Sequence, residues 1–569
     1  MRRLRGTGRA LLACAVVALV AVVATGGAGA ARGNDQLQKI NHIVVIYEEN
    51  HSFDNLYGGW EGVNGLANAD AAHTIQVDQN GVPYSCLFQL DVNLTSPPLS
   101  TLCSSTTPRG VAFISHFLNA PFTIDNYIPP DATTCPKPKD SFAFANGILN
   151  GSGVGIPGGC TRDIVHKFYQ EQYQLNGGAQ NRYATGSDAA GLVMGVYDTR
   201  SLPIYQYLHA NGHSHYAIAD NFFQAAFGGS FLNHQWLIAA RTPSDPNAPA
   251  AQHSLIDSAG FPRNNYPLYN PLAGAAYRDG DFTVECPSPK PGLACGHQWA
   301  VNTMQPTNEP WGAFGDKLVV QNAPTIGDEL SAAGVSWGWY AGGWDNAAGN
   351  VDGPGWTNGP GPTCSDPNHD TNAIYHYPKC PDFAFQFHHQ PFVYYANYAP
   401  GTPGRTHLRD EVSFEDAARA SSGDCKLDQV SFVKPIGEEN EHPGYASEPT
   451  GSTHLIELLS LIRNSACEKD TMVVVTYDEF GGQWDHVSPP GQGNNNGPHD
   501  EWGPGTRIPT LVISPFLRGN EVIDHTQYDT TSILAMLEER YGLAPLNSRD
   551  AAVNSLSDVF AAKQYEASK

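Results

Sequence analysis

The run Ile43-Val44-Val45-Ile46 is β-branched throughout and has no polar residue in alternate positions. Such a segment is stable as a strand only where both of its faces are covered, as in a parallel sheet flanked by helices. A second run, Val473-Val474-Val475 in "TMVVVTYDEF", has the same character, and "IPTLVISPF" supplies a third strand. Around them lie segments with helical apolar spacing: "GSTHLIELLSLIRNSA", and "DTTSILAMLEERYG" closing on Gly542. "IGDELSAAGVSWGWYAGGW" reads as helix then strand. This alternation predicts an α/β fold with a central, mostly parallel sheet.

Two of the strands end in acids. The first runs into Glu48-Glu49-Asn50, the late one into Asp478-Glu479, and each is followed by an aromatic-Asp pair, Phe53-Asp54 and Trp484-Asp485. Open α/β sheets bind ligands beyond the carboxyl ends of their strands. Either acid pair alone reads as a solvated strand end. Glu49, Asn50, Asp478 and Glu479 together bring so much oxygen to one place that a cation is expected among them.

The remaining chain is organised differently. Residues 60–135, 241–325 and 345–425 are rich in Gly, Pro, Asn and aromatics, and they read as long insertions over one catalytic domain spanning 36–565. Arg2, Arg3, Arg5 and Arg9, the apolar stretch 10–24 and Ala28-Gly29-Ala30 read as an export signal over 1–30. Secretion follows as an expectation, with no membrane-spanning segment in the mature chain. Loss of those arginines takes the formal charge from -24 to -28, which argues against nucleic acid as a partner. Ten of the eleven cysteines lie outside the signal. Their even number and short spacings predict disulfides 86–103, 135–160, 286–295, 364–380 and 425–467, pinning the insertions.

"DNFFQAAFGGSFLNHQWLIAA" places Ser230 at the start of a helical pattern, after Gly228-Gly229. A helix cap is the ordinary role for serine there, but a helix N-terminus also suits a phosphate and eases ionisation of a hydroxyl. Among the histidines, His166, the pair His388-His389, His442 in "GEENEHPGYAS" and His486 stand amid charged or motif-like residues. No GxSxG elbow, Walker loop or HExxH helix is present.

The ordered motifs "EENHSFDNLYG", "HKFYQEQYQLNGG", "ADNFFQAAFGGSFLNHQ", "EHPGYAS", "TYDEFGGQWDHVSPP" and "RIPTLVISPF", spread over roughly residues 40–550, resemble a bacterial phosphoesterase family. That family holds non-specific phospholipases C and respiratory-burst-inhibiting acid phosphatases. The resemblance implies an alkaline-phosphatase/sulfatase-like α/β sandwich. It implies a metal held by Glu49, Asn50, Ser230, Asp478 and Glu479, and a nucleophile at Ser230. It also implies that His166, His388, His389 and His442 surround the phosphoryl group. An oxygen-rich ligand set favours Ca²⁺ or Mg²⁺.

Phospholipases C of this family usually carry Thr at the nucleophile, with Pro-Asn-Arg soon after, and extra β domains. Here the stretch is Ser230-Phe231-Leu232-Asn233-His234, and the chain ends soon after the last helix. Both departures point to an acid phosphatase acting on phosphomonoesters through a phosphoserine. The expected partners are small phosphate esters, with phospholipids as the rival substrate. A lipid-facing rim for that rival is offered by Trp337, Trp339, Tyr394 and Tyr395, against ordinary core or strand packing, which is the favoured reading for the two tryptophans. A non-catalytic secreted binding protein is disfavoured, because every implied ligand and the nucleophile are retained.

Overall fold

Ile43, Val44, Val45 and Ile46 lose all solvent contact in strand β1, His42–Glu48, of a computed structural model of the chain. Residues 35–566 are described apart from 89–102, 127–162, 211, 263–265, 273–277, 279, 284–297, 303–307 and 309–316. The proposed signal and the pairs Cys135–Cys160 and Cys286–Cys295 lie outside the described residues.

β1 is the centre of an eight-stranded sheet. In chain order the other strands are β2 Tyr216–Ala219, β3 Trp337–Ala341, β4 Leu408–Asp410, β5 Val430–Lys434, β6 Thr471–Tyr477, β7 Thr510–Ile513 and β8 Glu521–Asp524. The spatial order is β8-β2-β7-β6-β1-β5-β3-β4. β1 pairs in parallel with β5 and with β6, β5 with β3, and β3 with β4. β7 runs antiparallel to both of its neighbours, and beyond it β2 and β8 are parallel again. The expected mostly parallel sheet is therefore present, with one strand reversed.

Helices cover the sheet: α1 Phe168–Leu175, α2 Ser230–Ala239, α3 Ile326–Ala332, α4 Glu411–Arg419, α5 Glu448–Arg463 and α6 Thr531–Tyr541. Ser447 caps α5 by accepting from Thr450 N, and α6 ends at Gly542 in the left-handed region. Fully burying a Val or Ile side chain is worth about 1.5–3 kcal/mol, so the four residues of β1 commit this strand to the interior.

The tail of the 345–425 stretch is not an appendage, because β4 forms the sheet edge and α4 packs behind it. Disulfides 86–103, 364–380 and 425–467 are formed. Among the described residues, no helix is long and apolar enough to cross a membrane. Trp337, Trp339, Tyr394 and Tyr395 are all core residues, so they supply no lipid-facing rim.

Candidate active site

Because β1 and β6 are adjacent and parallel, in register from His42↔Thr471 to Glu48↔Tyr477, their acid-bearing ends emerge side by side. The two loops that follow are joined. Asp54 and Asp485, from the paired aromatic-Asp sequences, meet at buried Arg507, whose Nη2 lies 3.0 Å from Asp54 Oδ1 and 3.1 Å from Asp485 Oδ2. His486 completes the knot through Nδ1, 2.5 Å from Asp54 Oδ2. These acids serve the architecture of the site and lie outside the set around Ser230.

Asn50 takes a left-handed conformation, φ 62°, which Asn tolerates better than most residues. Its N–H donates to Asp478 Oδ1 at 3.2 Å. The loop after β6 approaches so closely that a Cβ at Gly481 would strike the Asn50 carbonyl. A Cβ at Gly228 would lie 2.6 Å from Phe168 N. These two glycines let three chain segments converge.

Gly229, not Ser230, is the cap residue of α2, and Ser230 is the first helical residue. Its hydroxyl makes no capping bond. It lies instead 3.1 Å from Glu49 Oε2, 3.3 Å from Glu479 Oε1 and 3.4 Å from Asn50 Oδ1. One hydroxyl proton serves one of these oxygens at a time. Asp478 Oδ2, fully buried, has no hydrogen-bond partner. Burial, and then the charge of Glu49, push the Asp478 carboxyl well up; burial, and then Asp478, do the same to Glu479. Converging buried oxygens with an unpartnered carboxylate among them fit a hard divalent cation.

The histidines ring this centre. His166 Nε2 is 3.0 Å from Glu479 Oε1, and its Nδ1 contacts the Ile164 carbonyl. His442 pairs through Nε2 with Asn50 Nδ2 at 2.8 Å and through Nδ1 with the Pro443 carbonyl at 2.8 Å. Donation from Nδ1 leaves Nε2 as the acceptor facing the site. His389 Nε2 is 2.9 Å from Glu49 Oε1, and His388 packs edge-on against both His389 and His234. Burial lowers His389 to about 4 and also lowers His442 and His388. All the residues expected from the sequence thus converge, His388 behind the others.

Two neighbours were not foreseen. Lys434, fully buried at the end of β5, places Nζ 2.5 Å from Glu49 Oε1. Burial opposes the charge of Glu49, but Lys434 and then His389 outweigh it and hold this carboxyl well below its usual range. The only sequence signal was a lysine ending the apolar run "VSFVK". His234 lies one turn after Ser230, with Nδ1 2.8 Å from the Ser230 carbonyl and 3.8 Å from Asp478 Oδ2. Helical spacing from Ser230 would have found it. Ligand atoms of Glu49, His234 and His389 lie within 4.8 Å of one another, so nitrogen donors adjoin the oxygen set. Glu171, raised to about 7 by burial, accepts from Gly228 N at 2.5 Å and Thr506 N at 2.7 Å and so fixes the turn before Ser230.

The model of the Phosphoesterase family matches residues 40–544. Phospholipase C A of Mycobacterium tuberculosis is 24% identical over 565 residues, covering 94% of this chain and 79% of that protein. Non-specific phospholipase C1 of Arabidopsis thaliana is 30% identical over 200 residues, covering 30% of this chain and 37% of that one. A solved alkaline phosphatase superfamily protein from Vibrio parahaemolyticus aligns with TM-score 0.22 and 13% identity, over 41% of this chain and 51% of the other.

Proposed function

The chain belongs to the Phosphoesterase family, and from that premise we propose that it is a metal-dependent acid phosphatase that hydrolyses phosphomonoesters through Ser230. The observation that carries this reading is the Ser230 hydroxyl, released from capping and surrounded by Glu49, Asn50 and Glu479. Glu49, Asn50, Ser230, Asp478 and Glu479 would hold the cation, with His234 beside them. When bound, such a cation neutralises the acids and withdraws electron density from phosphate oxygens.

In the proposed reaction Ser230 Oγ attacks phosphorus in line, at the N-terminus of α2, whose free N–H groups favour the phosphate. Its proton passes to Glu479 Oε1, 3.3 Å away on a carboxyl that burial holds well above its usual range, as the Oγ–P bond forms. The P–O bond to the alcohol breaks, and the leaving oxygen takes a proton from the imidazolium form of His389. The same imidazole then removes a proton from water, which attacks the phosphoserine. Phosphate leaves, and Oγ recovers its proton from Glu479. His166 and Asn50 orient the phosphoryl oxygens.

Phospholipase C activity is the second reading, favoured by the M. tuberculosis relative whose match covers 94% of this chain. Against it stand Ser230-Phe231-Leu232-Asn233-His234 at the nucleophile and the burial of the four aromatics that would have met lipid. Comparing kcat/KM for p-nitrophenyl phosphate and p-nitrophenyl phosphorylcholine separates the two. A higher value for the monoester is expected, and the reverse order would replace acid phosphatase by phospholipase C. Export through the segment 1–30 belongs to the same proposal, in keeping with the formed disulfides.

A further inference from the structure

His454, buried in the middle of α5, stands among more carboxylates than its single charge can balance. Its Nε2 lies 3.0 Å from Glu411 Oε1 at the start of α4, and 3.8 Å from Glu439 Oε2 in the loop after β5. Its Nδ1 lies 4.0 Å from Glu457 Oε2, one turn further along α5. Glu48 acts on the same imidazole from β1, and on Glu411 as well. Successive residues of a strand point to opposite faces, so Glu48 projects away from Glu49 and the active site.

A protonated imidazole answers only part of this charge. The Nε2 hydrogen reaches Glu411, whereas Glu439 at 3.8 Å is beyond hydrogen-bond range. Glu48 is fully buried, yet neither of its carboxylate oxygens has a hydrogen-bond partner. Burial pushes the Glu439 carboxyl up; His454 counters this, and Glu411, Glu415 and Glu457 add to it. Lys434, which also acts on Glu48, is already bound to Glu49 Oε1 at 2.5 Å and to the Tyr47 carbonyl at 2.8 Å. One ligand atom from each of Glu411, Glu439 and His454 lies within 4.8 Å of the other two. The two distances from Nε2 bracket the roughly 3.3 Å that separates the ligands of a tetrahedral ion with bonds of about 2.0–2.1 Å.

We propose that Glu411, Glu439 and His454 form a metal site apart from the active site, taking a borderline divalent cation such as zinc. Imidazole and carboxylate together suit zinc, and three protein ligands with water in the fourth position are a regular zinc arrangement. Glu439, partly exposed, gives the ion a route from solvent. On binding, the ion takes the place of the Nε2 proton, which leaves to water. Its structural effect reaches the active site. Asn440, next after Glu439, accepts from Glu49 N at 2.9 Å, and His442 pairs with Asn50 at 2.8 Å. An ion here would thus tie the 439–442 loop to α4 and α5 from behind.

The site does not depend on the phosphatase reading, so the test counts ions rather than turnover. Full-length protein is stripped with chelator, equilibrated with zinc, desalted and analysed for bound zinc per chain. Wild type is compared with Glu439→Ala and His454→Gln, each alone and in an Asp478→Ala background. Each change is expected to remove about one equivalent in either background, and with it part of the zinc-dependent rise in Tm. Zinc content equal to that of the parent in folded Glu439→Ala overturns the proposal. Should His454→Gln fail to fold, Glu439→Ala decides alone, because its side chain is partly exposed. A failed active-site metal assignment reads differently: Asp478→Ala then keeps the wild-type zinc content, while Glu439→Ala still falls by about one equivalent.

Discussion

Replacing Ser230 by alanine separates a residue that starts a helix from one that carries the reaction. Ser230 is 7% exposed, and its Oγ lies among the oxygens of Glu49, Glu479 and Asn50, with Gly229 occupying the cap position. Deleting the hydroxyl removes one hydrogen bond to a carboxylate, a net cost on the order of 1 kcal/mol. That loss is partly offset, because three oxygens no longer crowd a fourth. Loss of the nucleophile is expected to lower kcat by about 10⁴-fold or more, about 5.5 kcal/mol in the barrier. Chemistry and folding should thus differ several-fold in energy. Urea melts read the first quantity, and kcat on p-nitrophenyl phosphate reads the second. Acid-quenched wild-type enzyme should yield a phosphopeptide containing residue 230, and the variant none. A folded Ser230→Ala enzyme retaining more than about a tenth of normal kcat, a loss under ~1.4 kcal/mol, would refute covalent catalysis at this residue. A water molecule would then have to be the attacking group.

Asp478→Ala removes the buried carboxylate whose Oδ2 has no hydrogen-bond partner; metal analysis should show loss of the active-site ion and activity should fall with it, and full retention of both would contradict the assignment. Lys434→Met leaves Glu49 buried without its cation, so urea melts of the metal-free protein should show a loss of about 3–5 kcal/mol, and an unchanged midpoint would mean that the ion pair has no energetic role. For His454, burial opposes its charge but Glu411 and Glu439 outweigh that and raise it to about 10. Because the folded value lies above the ordinary histidine range, this stabilisation is complete below about pH 6.5 and is lost as pH rises towards 10. Stability of wild type relative to His454→Gln should therefore shrink between pH 7 and 10 in parallel urea melts, and a constant difference would rule the pairing out.

Much of this protein is legible in residue order alone. Fully apolar runs have one stable environment, a sheet covered on both faces, so β1, β6 and β7 were evident before any coordinates. The helices α3, α5 and α6 were equally plain from their spacing. Acids at the ends of two such strands marked the site, because local sequence gives no apolar reason for them. The weaker elements were not legible: β4 and β8 are short and carry Arg409, Glu521 and Asp524 within them, and their pairing depends on neighbours distant in the chain.

What only tertiary structure decided was distance and direction. Sequence could not tell whether Ser230 caps its helix, since capping and catalysis ask for the same residue at the same place; the coordinates give the cap to Gly229 and turn the hydroxyl to Glu49. Nor could it single out Lys434, because a lysine ending a strand is normally solvated until strand order places β5 beside β1. The four aromatics open to a lipid-facing reading became core for the same reason, their exposure being a property of what packs on them. Residue order specifies which faces must be buried and where charge interrupts them. Which charges then meet depends on the order and register of the strands, and these are set by long-range packing that no local pattern encodes.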